Sequence, residues 1–548
     1  MTAGPGVALT TQRRLGAGSV VRDGPRAPYR EVAELDGEPH VVRRELVGDS
    51  TEGSVAPQRA IAAIAHITDL HVTDTQSPAR FEFVNREWDD SRFRELLTMQ
   101  RPHEALNVHA IEAMVRTLNA IETAPVTGRR IELVAMTGDS IDNTQRNELD
   151  NFLALLNGGT VQPDSGAPGY EGVQAADWPD DNCWKPDGPS EGNVFGRDLG
   201  FPLVPGLLER AVESFEATGL RLPWLGCYGN HEEVCQGVGI VTPALAKAMS
   251  GSRKPIGLPP GLDLDKAVET FVQQPEFFMT GAYLEVTPDP ARRPISRGEF
   301  IEAQYKSGRH GFTDQNRSAG TAYYVHDTRA VRFITLDTVC AAGGADGCID
   351  APQLHWLERR LEEVHSSFQT RDGSTVKSPH DDRLVVVLSH HGYDMLSNPR
   401  AERMADALLN LLLRFQNVVL WLNGHIHANR ITPRPDRQGA HGLWEVTTSS
   451  MVDWPCQARL VELFDAGDGL LGIACTMVDH DVAIRGGAGD PLVLAGLHRE
   501  LAGNVPFNGF DSWRPGYPPD RNAILLLPAP FKPTTSARQI GAPLAGPP

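Results

Sequence analysis

The sequence has little lysine, no long apolar run and no C-x-x-C cysteine pair, and each of these shortages argues against a class of protein. Only seven of the 548 residues are lysine, and the net charge is −19. A chain this acidic repels a phosphate backbone, which disfavours a general nucleic-acid-binding role. No apolar stretch reaches the roughly 20 residues that a membrane-spanning helix needs. No C-x-x-C pair occurs among the seven cysteines, so neither a zinc ribbon nor a thioredoxin-like site has support.

The cysteines and the N-terminal segment bear on the cellular compartment. Cys340 and Cys348 are close enough in sequence to bridge in an oxidising compartment, but we expect reduced structural thiols in a cytoplasmic protein. The segment that follows Arg13 and Arg14 is too short and too glycine-rich for the apolar core of a signal peptide. We therefore expect a cytoplasmic protein, with export open if translation starts further upstream.

What the sequence does contain is a series of short apolar runs, five of which end in a cluster of Asp, Asn or His. These five predict buried strands over 61–68, 131–136, 222–228, 384–388 and 418–422. Further strands are predicted over 41–42, 322–325, 331–336, 444–448, 458–464 and 471–478, and helices over 104–122, 147–156, 352–368 and 401–415. In layered α/β proteins ligands bind beyond the carboxyl ends of strands, so the five clusters are candidate ligands at one edge.

The remaining stretches suggest a domain organisation. Residues 1–58 form an N-terminal extension, and 59–483 form the main domain with insertions at about 158–220 and 234–320. Residues 484–548 are rich in proline and glycine and are expected to drape over the core or to be partly disordered. The insertions are expected to form a lid or rim that selects substrate. Trp184, Arg309 and His310 are candidate contacts, although each of them would more often be an ordinary loop residue.

Two of the clusters repeat one spacing. Asp69 and His71 are two residues apart, which places both side chains on one side of an extended segment, and His425 and His427 repeat this spacing. A carboxylate and an imidazole, or two imidazoles, could then bind one ion together. Either pair alone would more often be a solvated strand end, so the spacing is informative only in combination.

The other three clusters supply complementary groups. The carboxylate of Asp139 has two oxygens and can bridge two cations, while the glycine before it allows a tight turn. The carbonyl oxygen of Asn230 is a neutral, hard ligand, which leaves the adjacent His231 free to reach substrate. His390 and His391 are adjacent on an extended segment and face opposite sides, so only one of them is expected to bind metal.

In their order along the chain, these clusters resemble the motifs of the calcineurin-like metallophosphoesterase superfamily, which are D-x-H, G-D-x-x-[DN], G-N-H-[DE], H and G-H-x-H. The chain has Asp69-Leu70-His71, Gly138-Asp139-Ser140-Ile141-Asp142, Gly229-Asn230-His231-Glu232, His390 and Gly424-His425-Ile426-His427. The similarity covers most of residues 60–480. The chain departs from the family at the two insertions and at Gly392, where the family often has proline. The resemblance implies an α/β fold, a four-layer α/β/β/α sandwich of two mixed sheets flanked by helices with long loop insertions.

The resemblance also implies the ligands and the chemistry. One metal ion would bind Asp69, His71, Asp139 and His427, and the other would bind Asp139, Asn230, His390 and His425. His231, oriented by Asp142, would protonate the leaving alkoxide or stabilise charge on it. Two divalent or mixed-valence ions (Mn, Fe or Zn) would hold a bridging hydroxide that attacks a phosphomonoester or phosphodiester.

Other functions fit parts of the same pattern. A metal-binding scaffold or receptor of the same fold would keep the ligands without turnover, although the presence of His231 and Asp142 favours an enzyme. A nuclease is disfavoured by the acidic charge. We expect a small phosphorylated substrate, and the sequence leaves open both the choice between monoester and diester and the oligomeric state.

Overall fold

The computed structural model describes residues 9–47, 55–436, 439, 441–481 and 491–531. Its strands are β1 Arg13–Arg22, β2 Tyr29–Asp36, β3 Val41–Arg43, β4 Arg59–Ile67, β5 Val134–Met136, β6 Gly159–Val161, β7 Phe215–Ala217, β8 Trp224–Leu225, β9 Arg253–Pro255, β10 Tyr283–Glu285, β11 Tyr324–Asp327, β12 Val331–Thr335, β13 Ser367–Gln369, β14 Thr375–Lys377, β15 Leu384–Leu388, β16 Val418–Asn423, β17 Arg430–Pro435, β18 Gly442–Thr447, β19 Gln457–Gly467, β20 Leu470–Asp479 and β21 Ala523–Pro528.

The helices are mostly short. The α-helices are α1 Asn107–Ala120, α2 Arg146–Asn157, α3 Val194–Leu199, α4 Leu207–Ala211, α5 Val234–Gly237, α6 Pro243–Met249, α7 Ala267–Gln273, α8 Arg297–Gly308, α9 Asp314–Ala319, α10 Ala351–Glu362, α11 Ala405–Leu413, α12 Pro491–Gly503 and α13 Pro518–Arg521. Short 3-10 helices include Glu82–Glu87, Ser91–Leu96, Glu104–Leu106 and Asn230–Glu232. Among the described residues, no helix combines the length and the apolar character that crossing a bilayer requires.

Two mixed sheets form the centre of the fold. The larger has the strand order β3-β21-β20-β19-β4-β5-β8, and the smaller has the order β11-β12-β15-β16-β18-β17. Four separate strand pairs, β1–β2, β6–β7, β9–β10 and β13–β14, lie outside these sheets. Mixed sheets combined with helices establish the α/β class that the sequence predicted.

Strand β15 shows how the smaller sheet is covered on both faces. Leu384, Val386 and Leu388 pack into a core that also contains residues of the larger sheet, such as Ile64. The alternate residues of β15 pack into a second core with α10 and α11. Because successive side chains on a strand point to opposite faces, a strand buried on both faces must be apolar throughout.

The strand ends place the candidate ligands at one edge. Strands β4, β5 and β8 are parallel neighbours in the larger sheet, and β15 and β16 are parallel neighbours in the smaller one. The five polar clusters of the sequence follow these five strands, so all of them leave from carboxyl ends. The predicted strand over 384–388 is confirmed without change, whereas those over 131–136 and 222–228 shorten to β5 and β8.

The predicted helix over 352–368 is too long. It begins after Asp350, whose side chain accepts a hydrogen bond from the N–H of Gln353 at 2.8 Å, and it ends at Glu362. Residues Ser367–Gln369 instead form β13, which pairs with β14. Cross-strand pairing therefore outweighs the helical spacing of the apolar residues in this stretch.

The C-terminal segment is a structural part of the larger sheet. The sequence suggested that residues after 484 drape over the core, but β21 lies between β20 and β3. Ala523, Leu525 and Leu527 of this strand are buried in the main core. The strand was missed because its five apolar residues, 523–527, lie in a proline- and glycine-rich context. The parts of the predicted extensions at 1–8, 48–54, 482–490 and 532–548 lie outside the described residues.

The seven cysteines are free thiols. Cys340 and Cys348 are close enough to hydrogen-bond, and this contact lowers the pKa of Cys340 to about 6.

Replacing Leu525 with alanine tests whether β21 belongs to the core. Leu525 is fully buried, so we expect Leu525→Ala to lower the free energy of unfolding by about 2–5 kcal/mol. The control is Val20→Ala, because Val20 on β1 is 47% exposed and its truncation should change stability by no more than about 0.5 kcal/mol. Urea denaturation of both variants measures the difference, and equal stabilities would contradict the placement of β21.

Candidate metal centre

The candidate ligands lie on backbone that is not extended. Five of them have positive φ: Asp69 (53°), His71 (48°), Asp139 (52°), His425 (69°) and His427 (53°). Strand β4 ends at Ile67 and β16 ends at Asn423, so the pairs Asp69/His71 and His425/His427 lie beyond the strands. The prediction that each pair occupies extended backbone was wrong. Non-glycine residues adopt this left-handed region at a cost on the order of 1–3 kcal/mol each, and they keep it only where the surroundings enforce it.

One such constraint is the carboxylate of Glu232, which joins two of the ligand loops. It accepts hydrogen bonds from the backbone N–H groups of Gly229 at 2.6 Å, Ser140 at 2.7 Å and Asp139 at 3.1 Å. Burial and the nearby charge of Asp139 raise the pKa of Glu232 to about 7. The loop after β5 and the loop after β8 are thus held to the same side chain.

Glycines allow the loops to approach closely. A Cβ atom on Gly424 would lie 2.1 Å from Oγ1 of Thr68 and 2.3 Å from Oδ2 of Asp69. A Cβ atom on Gly229 would lie 2.3 Å from Oδ1 of Asp139. Any larger residue at either position would push the ligand loops apart. Close packing of the loops therefore explains why these motifs contain glycine.

The first candidate ion position lies between His71 and His427. Nδ1 of His71 lies 3.0 Å from Oδ1 of Asp142, and Nδ1 of His427 lies 2.7 Å from Oδ2 of Asp453. Because a carboxylate accepts hydrogen bonds, Nδ1 of each ring carries the proton and Nε2 has a free lone pair. The two Nε2 atoms face each other at 3.1 Å.

Two carboxylates complete this position. Oδ1 of Asp69 lies 3.3 Å from Nε2 of His427, and Oδ2 of Asp139 lies 3.6 Å from Nε2 of His71. Burial and the neighbouring His231 lower the pKa of His71 to about 4, so its ring is neutral at pH 7. Two lone pairs and two carboxylates directed at one buried point repel each other, and a cation at that point removes the repulsion. The residues therefore fit a divalent ion.

A second candidate position lies on the other side of Asp139. Oδ1 of Asn230 lies 2.9 Å from Nε2 of His390 and 3.1 Å from Nδ1 of His425, and Oδ2 of Asp139 lies 3.1 Å from Nε2 of His390. Nδ1 of His390 donates to the carbonyl of Thr137 at 2.8 Å, which directs the lone pair of Nε2 inward. Burial would lower the pKa of His390, but the charge of Asp139 outweighs it and raises the pKa to about 9. This point too favours positive charge.

His391 lies close enough to His390 and His425 for one ion to contact all three, but hydrogen bonds to other protein groups argue against it as a ligand. Its Nε2 lies 2.9 Å from the carbonyl of Ala345 and must donate, while its Nδ1 lies 2.9 Å from Oγ1 of Thr338. Burial and the charge of His390 lower the pKa of His391 to about 3. With both ring nitrogens engaged by protein groups, His391 packs against His425 at 4.4 Å between ring centroids. Of the two adjacent histidines, His390 directs Nε2 toward Asp139 and Asn230, and which of them binds metal stays a prediction.

The predicted catalytic pair lies beside the two positions. Nδ1 of His231 lies 3.2 Å from Oδ1 of Asp142 and 3.1 Å from its carbonyl, and Nε2 lies 4.0 Å from Oδ2 of Asp139. Arg80 forms a buried ion pair with Asp142 and another with Glu104 at 2.8 Å. Burial would raise the pKa of Asp142, but the Arg80 guanidinium outweighs it and holds that pKa well below its usual range. The structure thus brings together all nine predicted site residues, while their individual roles stay predictions.

Sequence reasoning missed the groups that surround these nine. Asp453 follows β18 and carries no recognisable motif, and Arg80 and Arg101 precede α1 in a stretch without periodicity. The candidate substrate contacts Trp184 and His310 are buried side chains that pack elsewhere in the fold. Trp184 packs in a separate core, and the ring of His310 stacks on Trp224 at 3.5 Å.

A cavity of about 240 Å³ opens onto the centre. Asp139, Asn230, His231, His425 and His427 form its floor. Its walls come from 95–99, Arg101, Gln236, Val238, Ala345, Asn508 and Arg514. Only Gln236 and Val238 belong to a predicted insertion, so the insertion at 158–220 does not line this cavity.

Comparisons with known proteins add little to this geometry. No protein-family profile and no curated protein sequence matches the chain. Among solved structures, a dimetal phosphatase from Danio rerio is similar to this chain at 11% sequence identity and a TM-score of 0.37, covering 77% of this chain and 100% of its own length. A likeness of this degree assigns neither fold nor function.

Metal binding tests the centre directly. Mn²⁺ at 100 times its dissociation constant should stabilise the folded chain by about 2.7 kcal/mol, seen as a rise in melting temperature that a chelator reverses. Asp139→Asn removes the charged oxygen that both positions share, so most of this rise should disappear. The control is Asp372→Asn in an exposed turn, which should keep the full rise. An equal Mn²⁺ effect in both variants would show that the ions bind elsewhere.

Proposed function

We propose that the chain is a dinuclear metal-dependent phosphoesterase of the calcineurin-like type. One observation carries this proposal: Oδ2 of Asp139 lies 3.1 Å from Nε2 of His390 and 3.6 Å from Nε2 of His71. A single carboxylate oxygen is therefore shared by two adjacent sets of ligand atoms. Two-metal hydrolases hold their ions roughly 3.5–4 Å apart, and sharing one oxygen produces such a spacing.

The proposal extends to the architecture. The shared core between the two sheets, with α1 and α2 against the larger sheet and α10 and α11 against the smaller, supports a four-layer α/β/β/α sandwich. We assign residues 59–483 to the catalytic domain, with extensions on either side, one of which adds β21 to the larger sheet.

The charges of the centre favour an anionic substrate. The carboxylates of Asp69 and Asp139 supply two negative charges against the four positive charges of two divalent ions. The surplus suits a phosphate ester together with a hydroxide. Two bound ions would act as Lewis acids, lowering the pKa of water and neutralising the phosphate. Mixed nitrogen and oxygen ligands are compatible with Mn, Fe or Zn.

His231 is placed to handle the leaving group. Its Nδ1 proton is directed at Asp142, so Nε2 is the nitrogen that faces the cavity. Burial would lower the pKa of His231, but the charge of Asp139 outweighs it and raises the pKa. His231 would then hold a proton on Nε2 and pass it to the leaving oxygen as the phosphorus–oxygen bond breaks.

The cavity fits a small phosphorylated molecule better than a polymer. Its volume of about 240 Å³ is slightly below the roughly 300–1,000 Å³ of pockets for drug-sized ligands. The net charge of −19 disfavours binding to an extended phosphate backbone.

Turnover with and without metal separates an enzyme from a silent scaffold. We expect the chain to hydrolyse an aryl phosphate with Mn²⁺, Fe²⁺ or Zn²⁺, to lose this activity in a chelator, and to regain it when Mn²⁺ is restored. The release of the aryl alcohol measures the rate. Stoichiometric metal binding without turnover of any phosphomonoester or phosphodiester in a panel would favour the scaffold.

His231→Ala tests the proton-transfer role separately from metal binding. Removing a general acid should lower kcat by about 10²–10⁴-fold, with the larger loss for esters whose alcohol is a poor leaving group. Metal content should stay at the wild-type value, because His231 is absent from both ligand sets. Loss of bound metal, or an equal loss of rate for good and poor leaving groups, would contradict the assigned role.

A further inference from the structure

We infer that Arg101 and Arg514 form an anion-binding subsite beside the metal centre, which binds the non-bridging oxygens of a phosphomonoester. This inference rests on the proposed function and narrows its substrate class. Both arginines line the cavity that contains Asp139, His231 and His427. They come from distant parts of the chain, Arg101 from the segment before α1 and Arg514 from the segment between α12 and α13.

Arg101 is fixed along one edge of its guanidinium. Nε lies 2.9 Å from Oδ1 of Asp453, and Nη2 lies 3.4 Å from Oδ2 of the same carboxylate. Within the described part of the chain, Nη1 makes no hydrogen bond to another residue, nor is it among the fully buried atoms without a partner. The remaining N–H groups of Arg101 therefore reach the cavity. A guanidinium held in this way loses little freedom when it binds an anion.

Arg514 is fixed in a similar way by the last ligand loop. Its Nη1 donates to the carbonyl of Ile426 at 3.0 Å and to that of His427 at 3.3 Å. Its Nε and Nη2 make no hydrogen bond to any residue in the described ranges, and neither is fully buried. The side chain as a whole is only 18% exposed. Two nitrogens with free N–H groups thus remain available at the cavity wall, and one N–H from each forms a fork that matches two oxygens of one phosphate.

The charge around the two arginines is unbalanced. Asp453 is the single carboxylate, among the described residues, within 4.0 Å of either guanidinium, and it lies 3.8 Å from Nη1 of Arg514. Glu95 lines the same cavity but pairs with Arg400 at 2.9 Å. Two cations therefore share one anion, and Asp453 also accepts from His427. The two guanidiniums thus have one carboxylate between them within 4.0 Å, which leaves N–H groups of both available to an anion in the cavity.

These features favour a monoester over a diester. A phosphomonoester near neutral pH carries close to two negative charges on three non-bridging oxygens. A diester carries one charge on two such oxygens, because a second organic group is attached to the third. Two metal ions, when bound, would occupy some of these oxygens, so additional fixed donors are useful only where a further charged oxygen remains.

Arg514→Gln is the main test, because Asp453 keeps Arg101 and His427 as partners when the Arg514 guanidinium is removed. We expect kcat/KM for an aryl phosphomonoester to fall by about tenfold or more, while kcat/KM for a bis-aryl phosphodiester changes by less than about threefold. Arg514→Lys should restore part of the loss. Arg101→Gln should act in the same direction, and the control Arg371→Gln, on an exposed turn, should leave both rates unchanged. Equal losses for both esters, or no loss for either, would overturn the inference.

Binding of inorganic phosphate to chelator-treated protein gives a readout that does not depend on turnover. Phosphate should raise the melting temperature of the wild-type chain and of Arg371→Gln, and the rise should be largely lost in Arg514→Gln. A rise that is equal in all three would overturn the subsite. If the wild-type chain hydrolyses neither ester but phosphate protection still depends on Arg514, the subsite stands and the proposed function fails. A wild-type preference for the diester would overturn the monoester assignment.

Discussion

The buried carboxylate of Asp139 is the interaction on which the rest of the site depends. Its Oδ2 faces imidazole nitrogens on two sides, while its Oδ1 accepts the backbone N–H of His231 at 2.9 Å. Burial would raise the pKa of Asp139, but the surrounding histidines outweigh it and hold that pKa well below its usual range. The left-handed backbone at Asp139, the glycine contacts and the hydrogen bonds of Glu232 all position this one group. A charged group at such depth requires positive charge on both sides.

A hydrogen-bonded carboxylate orients each of two imidazoles near Asp139. Asp142 accepts from Nδ1 of His71, and Asp453 accepts from Nδ1 of His427, so each carboxylate fixes a tautomer that directs Nε2 inward. Each of these carboxylates also pairs with an arginine, Arg80 in one case and Arg101 in the other. The difference between the two is exposure to the cavity. Both arginines are largely buried, but Arg101 lines the cavity and Arg80 does not, so only the second pair is positioned to contact substrate.

The sequence was informative about which residues meet and much less so about how they meet. Five apolar strands ending in Asp, Asn or His predicted that Asp69, Asp139, Asn230, His390 and His425 would share one edge, because parallel strands bring their carboxyl ends together. The left-handed φ of Asp69 and His425 was not predictable, since it is imposed by contacts between loops far apart in the chain. Asp453, Arg101 and Arg514 were missed for the same reason: no local pattern marks a residue whose role depends on tertiary position. Strand β21 was missed because its composition was averaged with its proline-rich flanks.

Anomalous diffraction from crystals soaked in Mn²⁺ is the most direct measurement of the central claim. The account predicts two anomalous peaks roughly 3.5–4 Å apart, one between His71 and His427 and the other between His390 and His425, with Asp139 adjacent to both. A single peak, or peaks that do not contact Asp139, would contradict a dinuclear centre in this protein.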